Sequence, residues 1–356
     1  MAISVLELDI EQLGEALQVH GLPAFRTTQI AQWVYEKGVC DVAAMTNLSK
    51  ELRETLSREP NQLEVLTSKI VSRADSADGT IKLLLEYADG ERIECVLIPT
   101  QQRATACLST QVGCAMGCKF CASGMEGFKR NLSSGEILQQ VIHLQQAGER
   151  RVSHVVFMGM GEPLANYGAT VAAVKALNDP DRFNISARHI TVSTVGLPTA
   201  IRRLATEELP ITLAISLHAP NDVLRRQLIP LANRYSISDI IDAATMFYES
   251  RHREITLEYV LLGGVNDTPV CAEALAQIAH RLRCSVNLIR YNPVPSLPYV
   301  RPTQAAVKNF VDRLNKHGVN VHMRRSRGLD AQAACGQLRR SARQCEDSDD
   351  ETSQDE

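Results

Sequence analysis

Cys114, Cys118 and Cys121 stand within eight positions of one another in the stretch VGCAMGCKFCASG. Thiolates are soft ligands, so this crowding points to zinc or to an iron-sulfur cluster. Both normally take four protein ligands, and three thiols leave one coordination position either missing or deliberately open. Zinc sites usually bring their ligands as two separated pairs, and no second C-x-x-C or H-x-x-x-H follows at suitable spacing. A 4Fe-4S cubane held by these three cysteines keeps one iron free of protein and able to hold a small molecule.

Other residues have types and spacings that suit such a site. In FMGMGEPLAN, a Gly159-x-Gly161 turn lets backbone approach a ligand, and Glu162 offers a carboxylate to an ammonium. A third glycine is lacking, so this is no dinucleotide fingerprint. Near the C-terminus Cys335 lies among small residues in RRSRGLDAQAACGQLRR, with arginines on both sides. Cationic neighbours favour a thiolate and gather phosphate, so one segment suits both a nucleophile and an RNA backbone. Cys40, Cys95, Cys271 and Cys284 sit in apolar surroundings and read as packing residues, while the acids around Cys345 disfavour its thiolate.

The elements that must position these groups are legible in outline. IEQLGEALQVHG, TTQIAQWVYEKG and NLSKELRETL carry helical periodicity, predicting a small helical module over residues 1–62 with Trp33 as a core anchor. IKLLLEYADGERIECVLIP reads as a β-hairpin around Asp89-Gly90, with Glu94 in its second strand, and defines a unit over 63–100. Beyond it, strand-like runs alternate with helical ones: TACLSTQV, VSHVVFM, HITVS, ITLAISL, EITLEYVLL, SVNLIRY and VNVHMR. Such alternation predicts an α/β fold, a partial β/α barrel of parallel strands over 101–340. Catalytic groups of such folds gather at the carboxyl ends of strands. Cys114, Glu162, Ser193, His218 and Asn292 all follow or end such runs. Ser133 and Glu136 have capping-box spacing at the head of the next helix, and Lys129 and Arg130 read either as a solvated face or as an RNA contact.

Composition narrows the class. The chain has 356 residues and a formal charge of -3, but its last eleven residues, EDSDDETSQDE, hold seven acids. Without that stretch, 34 acids face 38 bases, a mildly basic body compatible with a nucleic-acid partner. Residues 341–356 read as a disordered acidic tail. Ten cysteines without a secretory signal, and no apolar run of membrane-spanning length, place the protein in the cytoplasm with no membrane partner.

The motif C-x-x-x-C-x-x-C resembles the radical S-adenosylmethionine (SAM) signature, whose open iron chelates SAM. Six separated motifs add to it: FRTTQIAQWVYEKG with MTNLSKELR, CAMGCKFCASGMEGFKRNL, FMGMGEPLAN, AISLHAPND, NLIRYNP and AACGQL. Together they closely resemble the RlmN/Cfr family of RNA adenine methyltransferases, over about residues 20 to 340. The resemblance implies one 4Fe-4S cluster on Cys114, Cys118 and Cys121, and two SAM molecules per turnover. It implies SAM contacts from Gly161, Glu162, Ser193, Ser216, Leu217, His218 and Asn292. Cys335 would become the S-methylcysteine intermediate, Glu94 the proton acceptor, and Cys107 the resolving thiol that forms a transient disulfide with Cys335. Implied partners are 23S rRNA and tRNA, methylated at adenine C2, and an external one-electron reductant of flavodoxin or ferredoxin type; the expected state is a monomer. Two alternatives stay open at this point: a Cfr-type methyltransferase acting at adenine C8, and a non-catalytic iron-sulfur or zinc protein that binds RNA.

Overall fold

A computed structural model describes residues 3–19, 21–58 and 62–339. The acidic tail and Cys345 lie outside the described residues. At the N-terminus, β1 (Ile3–Ser4), α1 (Ile10–Val19), α2 (Phe25–Ala31), α3 (Lys50–Leu56) and β2 (Leu63–Glu64) form the helical module, closed by parallel pairing of β1 with β2. α2 continues into a wide π-turn over Gln32–Glu36. Trp33 lies on that turn, half-buried and packed against the edge of the core. Its indole N–H donates to Asn47 Oδ1 at 2.6 Å and Lys37 covers the ring, so a polar partner holds it at the rim.

Next come β3 (Lys69–Asp75), β4 (Ile81–Glu86) and β5 (Arg92–Pro99), an antiparallel meander with the expected turn at Asp89-Gly90, where Gly90 has φ 78°. β5 pairs with β6 (Ala104–Cys107), which begins the parallel part of the sheet. The chain then makes a small ribbon, β7 (Gln111–Gly113) with β8 (Phe128–Asn131), and enters α4 (Ser134–Gly148). The run TACLSTQV is therefore two strands. The break between them is held by the buried side chain of Gln140, which accepts from Ser109 N–H and donates to Ser109 O, both at 2.8 Å.

From there strands and helices alternate as expected: β9 (His154–Phe157), α5 (Tyr167–Asn178), β10 (Ile190–Thr194), α6 (Pro198–Leu204) and β11 (Thr212–Ser216). α7 (Asp222–Leu228), α8 (Ile237–Arg251), β12 (Ile255–Leu261), α9 (Pro269–Ala279), β13 (Cys284–Arg290), α10 (Gln304–Lys316) and β14 (Val321–Arg324) complete the series. Spatial order follows chain order, β14-β13-β12-β11-β10-β9-β6-β5-β4-β3, with seven parallel strands among the described residues. β14 and β3 are the two edges, so this is the expected partial barrel.

Side chains alternate along these strands. Leu257, Tyr259, Val286 and Leu288 are buried in the core packed on the helices, whereas Thr191, Ser193, Glu258 and Ile289 line the interior of the sheet. Ser133 and Glu136 form the predicted capping box at the head of α4. Arg130 is structural: it bridges Asp89 and Glu136 and so ties β8 to the hairpin turn, while Lys129 is exposed. Cys95 is wholly buried, and Cys40, Cys271 and Cys284 pack against the core as expected.

Candidate active site

The three-cysteine loop runs between the two strands of the small ribbon. Gly113, at φ 75°, makes its first turn; a Cβ there would stand 1.8 Å from Gly127 O, which in turn accepts the Cys114 N–H at 3.1 Å. Gly113→Ala is therefore expected to cost about 3 kcal/mol through left-handed strain and displacement of that carbonyl. The melting temperature and bound iron of the purified variant check this; a variant with both unchanged would mean the loop reshapes freely.

Cys114, Cys118 and Cys121 line one cavity of about 170 Å³, together with Gly161, Glu162, Ser193, Ser216 and His218. Among the described residues no three His, Cys, Asp or Glu side chains close tightly enough to hold a single metal ion. The thiols are nonetheless in electrostatic reach of each other, and burial pushes all three up, Cys114 to about 12. A cluster of several irons spaces its ligands more widely than one ion does and deprotonates them on binding.

The surroundings fit an anionic group. Arg225, on α7, is fully buried; its Nη2 donates to Val195 O at 2.5 Å and its Nε to Leu217 O at 3.3 Å, but Nη1 has no hydrogen-bond partner among the described residues. Burial lowers this guanidinium to about 10, while the Cys118 thiolate opposes the shift. A buried cation behind the cavity lining, in electrostatic reach of Cys118, suits a negatively charged thiolate-bound cluster.

Glu162 is held for a ligand on the same wall. Its two oxygens accept from Leu164 N at 3.0 Å and Val195 N at 2.8 Å, and Gly161, at φ 99°, lets the turn pass Gln111. Burial pushes its carboxyl from 4.5 up to about 7, against those two hydrogen bonds. Between pH 4.5 and 7 the folded apoprotein thus keeps a proton that the unfolded chain releases. Stability contributed by this group is present at the acid end and falls as pH rises, on the order of 3 kcal/mol in all. Denaturant unfolding of Glu162→Gln is expected to lack that decline, and a constant gap between variant and wild type across this interval would refute it.

His218, at φ 56°, accepts the Val260 N–H at Nδ1 (3.1 Å), which leaves the proton on Nε2; burial, then Arg225, lowers the imidazole to about 3, so it stays neutral. Ser193 and Ser216 place their hydroxyls 3.3 Å apart on neighbouring strands. Two of the predicted contacts do not line this cavity. Leu217 is wholly buried and not part of the cavity lining. Asn292 donates to Cys335 O at 3.1 Å and accepts from Ser326 Oγ at 2.8 Å, so it holds the Cys335 loop.

Cys335 is exposed on a loop, not buried in a helix. That loop is sewn to its neighbours: Ala122 N–H donates to Gly336 O and Ser123 Oγ to Leu338 O, each at 2.8 Å, and Asp330 accepts from Ser76 and Ala77. Cys335 lines the small cavity and also a second chamber of about 570 Å³, where Cys107 lies on the wall. Every described cysteine is a free thiol, so the Cys107–Cys335 disulfide is not formed in this state. Glu94 shares the inner sheet face with Cys107 but is 1% exposed, paired with Lys82 Nζ at 2.9 Å and capped by Arg339 N–H at 2.8 Å.

Besides Arg225, two further residues were not singled out by sequence. Arg324, at the end of β14, lines both cavities and interacts electrostatically with Cys335 and Cys107. Glu258 on β12 is buried, accepts from Asn287 Nδ2 at 2.9 Å and stands 3.6 Å from Arg324. A single charge inside a strand gives no spacing signal; only the sheet register brings these together.

Comparison with known proteins decides the family. Residues 108–273 match the Radical SAM superfamily, and residues 3–60 match the ribosomal RNA large subunit methyltransferase N-terminal domain. A probable dual-specificity RNA methyltransferase RlmN of Thermosynechococcus vestitus is 49% identical over 330 residues, 93% of this chain and 96% of the relative. The chain belongs to the RlmN family of radical SAM RNA methyltransferases. A relative of the same name from Gloeobacter violaceus is 46% identical over 340 residues, 96% of each chain. The crystal structure of a radical SAM methyltransferase from Sphaerobacter thermophilus superposes with a TM-score of 0.91 at 43% identity, covering 95% of this chain and 99% of that one.

Proposed function

We propose that this protein methylates C2 of adenine in 23S rRNA and in tRNA, by way of a methylated Cys335. The observation that carries the reading is the shared wall: Cys335 lines both the three-thiol cavity and the larger chamber that holds Cys107. One sulfur can then take a methyl group on one side and deliver it on the other.

Cys114, Cys118 and Cys121 would hold the cluster, Glu162 would take the ammonium of SAM, and His218 would offer Nε2–H to it. Bound there, cluster and SAM supply a 5'-deoxyadenosyl radical on one-electron reduction. The residues of the chain do the rest. The Cys335 thiolate would displace the methyl group from a first SAM, with S-adenosylhomocysteine as the leaving group. Loss of a hydrogen atom from that S-methyl group leaves a carbon radical on Cys335, which adds to C2. An sp² C–H carbon of adenine has no usable electron pair for polar transfer, and a radical needs none. To restore the ring the adduct would lose the C2 proton to Glu94 and one electron, for which the bound cluster would be the acceptor. Cys107 thiolate then attacks the Cys335 sulfur, the carbon-sulfur bond breaks, and the freed carbon is protonated to a methyl group. The resulting disulfide is reduced by an external donor.

Arg324 lines both cavities beside Cys335 and Cys107, and its charge opposes the upward shift that burial imposes on the Cys107 thiol. The arginine-flanked segment around Cys335 and the N-terminal module would supply phosphate and shape contacts. Mass spectrometry of nucleosides from treated 23S rRNA and tRNA tests the reading: 2-methyladenosine supports it, while 8-methyladenosine, or no methylated adenosine, overturns it.

A further inference from the structure

The larger chamber has a polarity of its own. Its lining includes five arginines and two histidines but no Asp or Glu. Arg324 and Arg327 face Glu258 and Asp78, whereas Arg103, Arg188 and Arg325 have no carboxylate partner among the described residues. A wall of one sign around a confined space focuses potential for an anion.

Arg324, Arg325 and Arg327 end or follow β14, but two of the arginines and both histidines lie at an unusual end of the fold. Arg103 directly precedes β6, His154 opens β9, and Arg188 and His189 directly precede β10. All four thus mark the amino ends of parallel strands, opposite the face where β/α enzymes place their chemistry. The His154 and His189 rings stack there with centroids 4.1 Å apart and planes within 19°, giving the rim a flat aromatic surface. From Arg103 the wall climbs four residues along β6 to Cys107, about 13 Å at ~3.3 Å per residue. The carboxyl end is covered instead. The cluster loop and the Cys335 loop close over it through Ala122 N–H to Gly336 O and Ser123 Oγ to Leu338 O.

We infer that RNA enters from the amino-terminal rim of the barrel: the unstacked adenine passes up the lumen to Cys335 while flanking phosphates rest on Arg103 and Arg188. The inference rests on the RNA-methylating reading above and adds to it the direction of approach and the residues that take the backbone. Taking a base out of its stack needs compensating contacts to its neighbours. The rim offers both kinds that single-stranded RNA uses, cations for phosphate and a ring pair for stacking.

The test uses the full chain and a fluorescein-labelled RNA stem-loop with unpaired adenines, titrated by anisotropy over a range of KCl concentrations. Arg103→Gln/Arg188→Gln is expected to weaken binding roughly tenfold or more and to flatten the log Kd against log salt plot by about one per arginine. Arg202→Gln, an exposed arginine on α6, is the control and leaves both unchanged. Bound iron and melting temperature report whether each variant is folded. A steric plug, Thr105→Trp on the lumen wall, is expected to stop RNA methylation while RNA still binds the rim. Wild-type affinity and salt slope in the double variant, or full methylation past the plug, would overturn the inference and leave the methyltransferase reading intact. A wild-type protein that neither binds nor methylates RNA would instead overturn that reading, and this inference with it.

Discussion

Cys335→Ala protein is expected to fold, bind iron and bind RNA, yet to carry no methyl group and produce no methylated RNA above background. The fold should survive because the side chain is exposed and the loop is held by backbone and neighbours: Asn292 to Cys335 O, Ala122 to Gly336 O, and Arg339 N–H to Glu94. Removing the sulfur deletes the one thiol that, among the described residues, lines both cavities. Wild-type protein incubated with methyl-labelled SAM should show label on the tryptic peptide containing Cys335, and the variant none. The loss is complete rather than partial because no other described thiol lines both spaces; Cys107 lines the chamber alone. Methylated adenosine recovered from the variant would sink the covalent route.

Much of this was legible in the chain because the signals were local. The seven parallel strands announced themselves as short apolar runs separated by helical ones, and since their spatial order is their chain order, topology followed from alternation alone. The cysteine loop and the Gly161-Glu162 turn were visible for the same reason, as they need only near neighbours. The failures share a cause too. β3 reads KIVSRAD and is exposed along most of its length, so it carries little of the apolar pattern that marks a buried strand. The run TACLSTQV was read as one strand because nothing in it forecasts that Gln140, on α4, breaks it at Ser109. Arg225, Glu258 and Arg324 each look like a surface charge, and become site residues only through contacts that cross the sheet, such as Arg324 with Glu258. Leu217 and Asn292 were assigned by motif; neither lines the three-thiol cavity, Leu217 being buried beside it and Asn292 lining the adjoining chamber.

Cys107→Ala is expected to separate addition from release. Cys107 is 6% exposed on the inner sheet face, opposite Val96 of β5 and next to Val156 of β9. Burial pushes its thiol up to about 12, the nearby Cys335 thiolate adds to that, and Arg324 opposes it. In the resting protein it is therefore a neutral thiol, which keeps it from competing with Cys335 for the first methyl group. Its task begins only once Cys335 carries RNA, when breaking the carbon-sulfur bond needs a second sulfur within reach. Alanine fills nearly the same space, so stability should fall by only about 1 kcal/mol. Cys335 still becomes methylated, but RNA then stays attached: denaturing gels should show a protein-RNA species that accumulates to about one per active site and does not turn over. Nuclease digestion should leave an adenosine adduct on the Cys335 peptide. Catalytic amounts of free methylated RNA without that adduct would mean that another group breaks the bond, and Cys107 would revert to a packing residue of β6.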